Sequence, residues 1–249
     1  MSILLTGHGK ISTKIYSLYT PYIATLPPRN RFDLSKTKYK KILKKRIQSS
    51  NIKVVIHAAG YSYDTNSKKA IMHYRCINDN IIATKNVVDV CTELNIPLIY
   101  ISCNTLGFID LNNMADLDTY TLSKLTMESL VLTLEKGFVL RLPSMELTPD
   151  PEILGVMKTI FSLAVFLINL EENILGNYDV VNYYLPFVRK YCLTTLGIAD
   201  PKTINPTSLK DPNFVRLINS QIESYGLLEI LQAWLNSNIH LKEIVDEAS

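Results

Sequence analysis

Five short apolar runs recur along the chain, each followed by a segment with helical spacing of its apolar positions: Ile3-Leu4-Leu5, Tyr22-Ile23-Ala24-Thr25, Val54-Val55-Ile56, Leu98-Ile99-Tyr100-Ile101 and Phe138-Val139-Leu140. This alternation constrains the fold more than any other feature. Strands that are apolar on both faces are buried on both faces, and successive strands joined through helices lie parallel with right-handed crossovers. The intervening segments agree. Tyr39, Ile42, Leu43 and Ile47 make the apolar stripe of a helix packed on a core. Ile77, Ile81, Ile82, Val87, Val88, Val90, Cys91 and Leu94 mark a largely buried helix, and Leu125, Leu130, Val131 and Leu134 mark another. Residues 1–145 are therefore predicted to form a doubly wound α/β domain with a parallel sheet. Residues 146–249 read as a smaller C-terminal lobe, partly interleaved with the first. It has a buried helix over Ile153 to Leu170, a Tyr-rich stretch at 178–191, a Pro-containing loop at 201–212 and a helix ending near Trp234.

Composition excludes several alternatives. With 249 residues, 47% of them hydrophobic, and only 9 Gly, 11 Pro and 4 Cys, the chain is too apolar for disorder and too poor in cysteine for a disulfide scaffold. Cys76, Cys91, Cys103 and Cys192 lack metal-ligand spacing, so no metal is expected. The N-terminal apolar run has no basic residue before it and stops at Gly7, unlike a signal peptide. Lys158 and Asn169 interrupt the longest apolar stretch, which falls short of a membrane span. A cytoplasmic protein with no membrane partner, its cysteines reduced, is the expectation. The net charge of +3 is unevenly distributed: seven cations and no acid lie between Lys36 and Arg46, and removing them leaves −4 for the rest. A cationic run opposite an apolar stripe is a solvated helix face, so no nucleic-acid partner is expected.

Two motifs carry chemistry. The first strand runs into Thr6-Gly7-His8-Gly9-Lys10-Ile11-Ser12, a Gly-x-Gly-x-x-Ser turn before a helix. Glycines there let the backbone approach a pyrophosphate at the helix N-terminus, although an ordinary strand-to-helix turn has the same look. Tyr120 and Lys124 share one helical face between the fourth and fifth strands, where an ammonium can lower the pKa of a phenol and ready it as a proton donor to a carbonyl. In a chain with 14 tyrosines the spacing alone proves little, and the placement is what singles the pair out.

The ordered set Leu4-Leu5-Thr6-Gly7-x-Gly9, Val54 to Gly60, Asn78 with Ala83-Thr84-Lys85-Asn86, Ile99 to Ser102, Tyr120-x-x-x-Lys124 and Val139-Leu140-Arg141 resembles the extended short-chain dehydrogenase/reductases. Within them it is most similar to the dTDP-4-dehydrorhamnose reductases and their nucleotide-sugar relatives of the NAD-dependent epimerase/dehydratase type. The resemblance implies a Rossmann fold holding NADP, with NAD as the alternative. Gly7, Gly9 and the backbone of Lys10 and Ile11 would cradle the pyrophosphate, and Asp33 would contact the adenine. Ala58, Ala59 and Gly60 would pass beside the ribose. Arg29 stands where NAD enzymes carry an acidic residue, and an arginine suits a 2′-phosphate. Tyr120 would be the general acid, Lys124 its electrostatic partner and ribose ligand, and Asn78 would tie backbone near Lys124.

The departures from the family pattern matter as much. Cys103 falls where relatives place a serine or threonine that hydrogen-bonds the substrate carbonyl, and a thiol is a weak donor. Ser102 or Thr105 could take that part. Seventeen positions separate Cys103 from Tyr120, which reads as a trimmed substrate loop, and 249 residues is short for the fold. In the C-terminal lobe Arg189, Lys190, Tyr183 and Tyr184 are of the types that meet phosphates and bases. The expected function is an NADP-dependent oxidoreductase that reduces a keto group of a nucleotide-linked sugar. Two others stay open: a nucleotide-sugar epimerase or dehydratase, and a non-catalytic cofactor-binding protein on the same fold that works as a regulatory partner; the resemblance also leaves a homodimer open.

Overall fold

The structure is a computed structural model and describes residues 2–62, 69–103, 106, 117–142, 150–172, 231–233, 235–236 and 239–247. Its centre is a parallel sheet of five strands: β1 (Ile3–Thr6), β2 (Ile23–Thr25), β3 (Val54–His57), β4 (Leu98–Cys103) and β5 (Gly137–Leu142), in the order β2-β1-β3-β4-β5. All neighbours pair parallel, with Leu4 opposite Val55 and Ile56 opposite Ile99. All five predicted strands are present. Because β2 lies on one side of β1 and β3 on the other, the chain reverses direction beside β1. In an open parallel sheet this is where a crevice opens at the carboxyl ends of the strands.

The two faces of the sheet are covered by different helices. Ile3, Leu5, Ile56, Ile99, Phe138 and Leu140 point to one layer, made of α1 (Lys10–Tyr19) and α6 (Asp150–Glu172). Leu4, Val55, Leu98, Tyr100 and Val139 point to the other, made of α2 (Thr37–Ser49), α4 (Ala83–Leu94) and α5 (Thr119–Leu132). The alternation along each strand is the period-2 geometry that makes a two-faced core from a run with no polar residue. The buried helix predicted after residue 150 is α6, whose Phe161 ring stacks on Tyr19 of α1 at 3.8 Å between centroids. Leu231, Leu235 and Val245 join the same core, the last from α7 (Ile239–Glu247), which also meets Lys158 through Asp246.

Two details depart from the sequence reading. On α2, Leu43 and Ile47 are buried, but Ile42 is 48% exposed. Ahead of α4 the chain runs from α3 (Lys69–Arg75) into a π-helix over Cys76–Ile82, whose wider turn rotates the residues it contains. Ile77 and Ile82 consequently face solvent, while Cys76, Asp79 and Asn80 turn inward. The expectations about Thr105, Cys192, the 178–191 and 201–212 segments and Trp234 lie outside the described residues.

Candidate active site

At the carboxyl end of β1 the backbone turns through Gly7 with φ +97°, a conformation open to glycine and strained for other residues. A Cβ at Gly7 would lie 2.8 Å from the Ala59 nitrogen and 2.9 Å from the Ala58 oxygen. Gly7 is therefore needed for two reasons, its dihedral and its contact with the residues that follow β3. Gly9 differs. It caps α1 with extended backbone, and a Cβ there would meet nothing within 4 Å. The first turn of α1, beginning at Lys10 and Ile11, holds no acidic residue, so no side chain of that turn offsets the positive end of the helix dipole. This open, positively polarised turn at the sheet's reversal point fits a pyrophosphate. His8 leans away from it, its Nε2 2.9 Å from the Leu26 oxygen, and so fastens the turn to the loop after β2.

Beneath the turn is a polar bridge that the sequence reading missed. His57, fully buried at the end of β3, sets Nδ1 2.6 Å from Thr6 Oγ1 and Nε2 2.9 Å from Thr84 Oγ1. Burial, and secondarily the Lys124 charge, pushes its pKa down to about 3, so the ring is neutral, donating through one nitrogen and accepting at the other. The bridge ties β1, β3 and α4 together directly below Gly7 and Ala58.

Tyr120 and Lys124 stand in the first two turns of α5, whose N-terminus is capped by Asp118 Oδ1 accepting from the Thr121 N–H at 2.7 Å. Lys124 is buried. Its Nζ is 3.4 Å from the Ile101 oxygen, 5.1 Å from the centre of the Tyr100 ring, and 3.7 Å from the point a Cβ on Gly60 would occupy. Burial lowers its pKa, and the neighbouring Cys103, Glu128 and Cys76 oppose that shift. Glu128, one turn further on, is held bidentately by Arg141, the last residue of the Val139-Leu140-Arg141 run. Burial likewise raises the Tyr120 pKa, with Cys103 and Tyr100 adding to the effect. The phenol is thus held in its protonated form, and the lowering expected from the Lys124 ammonium is not seen.

The other expected residues fall into two groups. Ala58, Ala59 and Gly60 leave β3 alongside the turn, and Gly60 lies between Lys124 and Asn80. Ser102 and Cys103 close β4; Ser102 Oγ is buried with no hydrogen-bond partner among the described residues, and Cys103 is half-buried. Asn78 does not reach this group. Its amide is exposed and donates back to the Tyr74 oxygen. The inward position belongs to Asn80, which accepts from the Tyr61 N–H at 2.7 Å and donates to Ser123 Oγ at 2.9 Å, joining the end of β3 to α5. A signal for it was present: Asn80, Thr84, Val87 and Cys91 repeat on one helical face, whereas Asn78 is off that stripe. In the loop after β2, Asp33 Oδ1 accepts from the N–H and hydroxyl of Ser35, and Arg29 is bound to Asp79. Arg189, Lys190, Tyr183 and Tyr184 are outside the described residues. Among those described, no cluster of ligating side chains could hold a metal ion, and no helix is long and apolar enough to cross a membrane.

Residues 13–148, more than half of the chain, match the profile of the NAD dependent epimerase/dehydratase family. The chain belongs to this family. As the sequence resemblance implied, it falls among the extended short-chain dehydrogenase/reductases. Similar solved structures include the dTDP-4-dehydrorhamnose reductase of Bacillus anthracis in complex with NADP, 22% identical over 56% of this chain and 52% of that one, with a TM-score of 0.47. They include the UDP-rhamnose synthase of Acanthamoeba polyphaga mimivirus, 14% identical over 70% and 71% of the two chains, at 0.48. A third is the UDP-glucose 4-epimerase of Thermus thermophilus in complex with NAD, 17% identical over 64% and 61%, at 0.44. The match to the reductase spans about half of that protein's length. No curated protein sequence matches the chain. Membership in the epimerase/dehydratase family is consistent with NAD(P) as the cofactor class.

Proposed function

We propose that this family member is an NAD(P)-dependent oxidoreductase that reduces a keto group on a nucleotide-linked sugar, with NADPH as the expected cofactor and NADH as the alternative. The observation that carries the reading is Lys124: an ammonium buried on α5, at the carboxyl end of β4 and within reach of Gly60, one helical turn from a protonated tyrosine. Burying a charge there is costly unless it is used. The pyrophosphate would rest on Gly7, Gly9 and the α1 N-terminus, the ribose beside Ala58 to Gly60, and the residues after 146 would hold the sugar nucleotide. When bound, the reduced nicotinamide supplies the hydride.

The protein's own part is to move one proton. Tyr120 Oη holds it at neutral pH because burial disfavours the phenolate. As the carbonyl carbon is reduced, the carbonyl oxygen gains charge and takes the Tyr120 proton, giving the alcohol. The phenolate left behind is stabilised by the Lys124 ammonium and regains its proton from solvent. Of the two described residues that could polarise the carbonyl, Ser102 carries the stronger donor and has no partner among the described residues, so it serves ahead of Cys103.

The test is Tyr120→Phe, assayed with NADPH and nucleotide-linked 4-keto sugars. Turnover is expected to fall by at least about 10²-fold, the usual worth of a positioned general acid, with NADPH affinity unchanged within about threefold. Unchanged turnover removes the mechanism. Tight NADPH binding by the wild type, with no turnover of any such sugar, favours the non-catalytic reading of the same fold.

A further inference from the structure

The chemistry above makes no use of a charged cluster beside the cofactor crevice, formed by Arg29, Asp79 and Arg75. Asp79 lies in the π-helix, and its carboxylate is 9% exposed. One oxygen takes Arg29 Nη2 and the other takes Arg29 Nη1, both at 2.5 Å. The second oxygen also accepts from Arg75 Nε at 2.8 Å. The Arg75 guanidinium in turn lies 4.8 Å over the ring of Tyr61, whose N–H is held by Asn80. Arg29 is 45% exposed, and its Nε is 4.0 Å from Asp33 Oδ1, an oxygen already engaged by Ser35. Two arginines and two aspartates leave this rim electrically neutral.

A 2′-phosphate is recognised by a guanidinium whose fork of N–H donors is free to face it. Arg29 sits in the right loop, four residues beyond β2 and three beyond Leu26, which His8 of the glycine turn touches. Its fork, however, is spent on Asp79. The backbone does not depend on that pair: the N–H groups of Arg31 and Phe32 both donate to the Pro28 oxygen, at 2.8 and 2.9 Å, and fix the turn by themselves. The side chain can therefore swing while the loop stays, and Asp79 keeps Arg75 when Arg29 leaves.

We propose that Asp79 is the residue that limits this chain's preference for a 2′-phosphorylated cofactor, by competing with the 2′-phosphate for the Arg29 guanidinium. The proposal rests on the reading that a nicotinamide dinucleotide lies across the glycine turn and the Arg29 loop. Asp79 acts on the cofactor only through Arg29, so it is a positioning residue for specificity and not a catalytic one.

The experiment is a double-mutant cycle on the full chain, read by fluorescence or calorimetric titration with NADPH and NADH. The variants are Asp79→Asn, Arg29→Ala and the two combined, and the quantity is the ratio of NADPH to NADH affinity, in which a general loss of stability cancels. Asp79→Asn is expected to raise the ratio about tenfold or more. Arg29→Ala should lower it by about threefold or less in the wild-type background, yet erase the whole gain in the Asp79→Asn background. Arg75→Gln leaves Asp79 to Arg29 alone and should move the ratio toward NADH, which keeps the proposal testable if Asp79→Asn does not fold. An unchanged ratio in Asp79→Asn, or in Arg75→Gln where that variant is the one that folds, overturns the proposal while leaving the cofactor reading intact. Equal effects of Arg29→Ala in both backgrounds do the same. Failure of the wild type to bind either nucleotide is a different result and removes the cofactor reading itself.

Discussion

Gly7 and Gly9 look alike in the sequence but serve different purposes, and substitution separates them. An alanine at position 7 must hold φ near +97° and place its Cβ within 2.8 Å of backbone at Ala59. Left-handed strain alone is worth about 1–3 kcal/mol, and backbone cannot move aside cheaply, so Gly7→Ala should lower stability by at least about 2 kcal/mol. An alanine at position 9 has ordinary extended dihedrals and open space around its Cβ. Gly9→Ala should cost about 1 kcal/mol or less as a poorer helix cap, but reduce dinucleotide affinity by about tenfold or more, because on the proposed function the space it fills is the one that takes the phosphate. Urea denaturation and nucleotide titration of both variants check the split; equal stability losses would mean that the turn is only structural. The positions of the turn and of Ala58 to Gly60 were legible from local spacing next to a strand end, and the shared face of Tyr120 and Lys124 from their spacing of four on a helix. Asn80 was passed over, although its spacing to Thr84, Val87 and Cys91 marks the inward face, because the family resemblance was placed on Asn78, two residues earlier and off that stripe.

At the scale of elements, the basic run of α2 is answered by α4. Lys40 meets Asp89 and Glu93, Lys44 meets Glu93, and Lys85 of α4 itself closes on Asp89. Arg46 donates to the Thr25 oxygen at the end of β2. The run is a helix-pairing surface as well as a solvated face, a pairing legible only once the topology sets α2 beside α4. The His57 bridge is a second inter-element tie, and it carries a pH signature. In the unfolded chain His57 titrates near 6.5, while in the folded protein its pKa is about 3. Above pH 6.5 the ring is neutral in both states and contributes no pH dependence. Below it the unfolded state binds the proton first, so stability falls with pH at up to about 1.4 kcal/mol per unit, approaching a total of about 5 kcal/mol near pH 3. Urea denaturation between pH 7 and 4 should show this slope in the wild type and lose it in His57→Gln. Parallel curves for the two proteins would mean that the imidazole is not buried neutral.

For the whole molecule the decisive element is α6. Its residues Ile160, Phe161, Leu163, Ala164, Val165, Phe166 and Leu167 are all fully buried, so no side of this stretch faces solvent. One side lies on the sheet and α1, and others meet Leu231, Leu235 and Val245. A helix apolar all round can exist in water only between two layers. The sequence made α6 visible as a buried helix, but its apolar residues alone could not say which core it enters. The structure puts it in the core of the sheet, where it covers Ile3, Leu5, Ile99 and Leu140 from the side opposite α4. Two consequences follow. Phe161→Ala removes the ring stacked on Tyr19 and should destabilise the protein by about 3–5 kcal/mol, measurable as a shift in the denaturant midpoint. A chain ending at residue 145 keeps all five strands and α1 but loses α6 from the face they share, and it should not fold cooperatively. A soluble, cooperatively melting 1–145 fragment would show that the sheet closes its core without α6. Failure of that fragment beside a stable chain that retains α6 and the segments over it would place the folding unit's boundary beyond the last strand, in the region proposed to hold the sugar nucleotide. Substrate binding and folding would then draw on the same helix, so variants selected in that region for a new sugar should lose stability more readily than those altered at the exposed cations of α2.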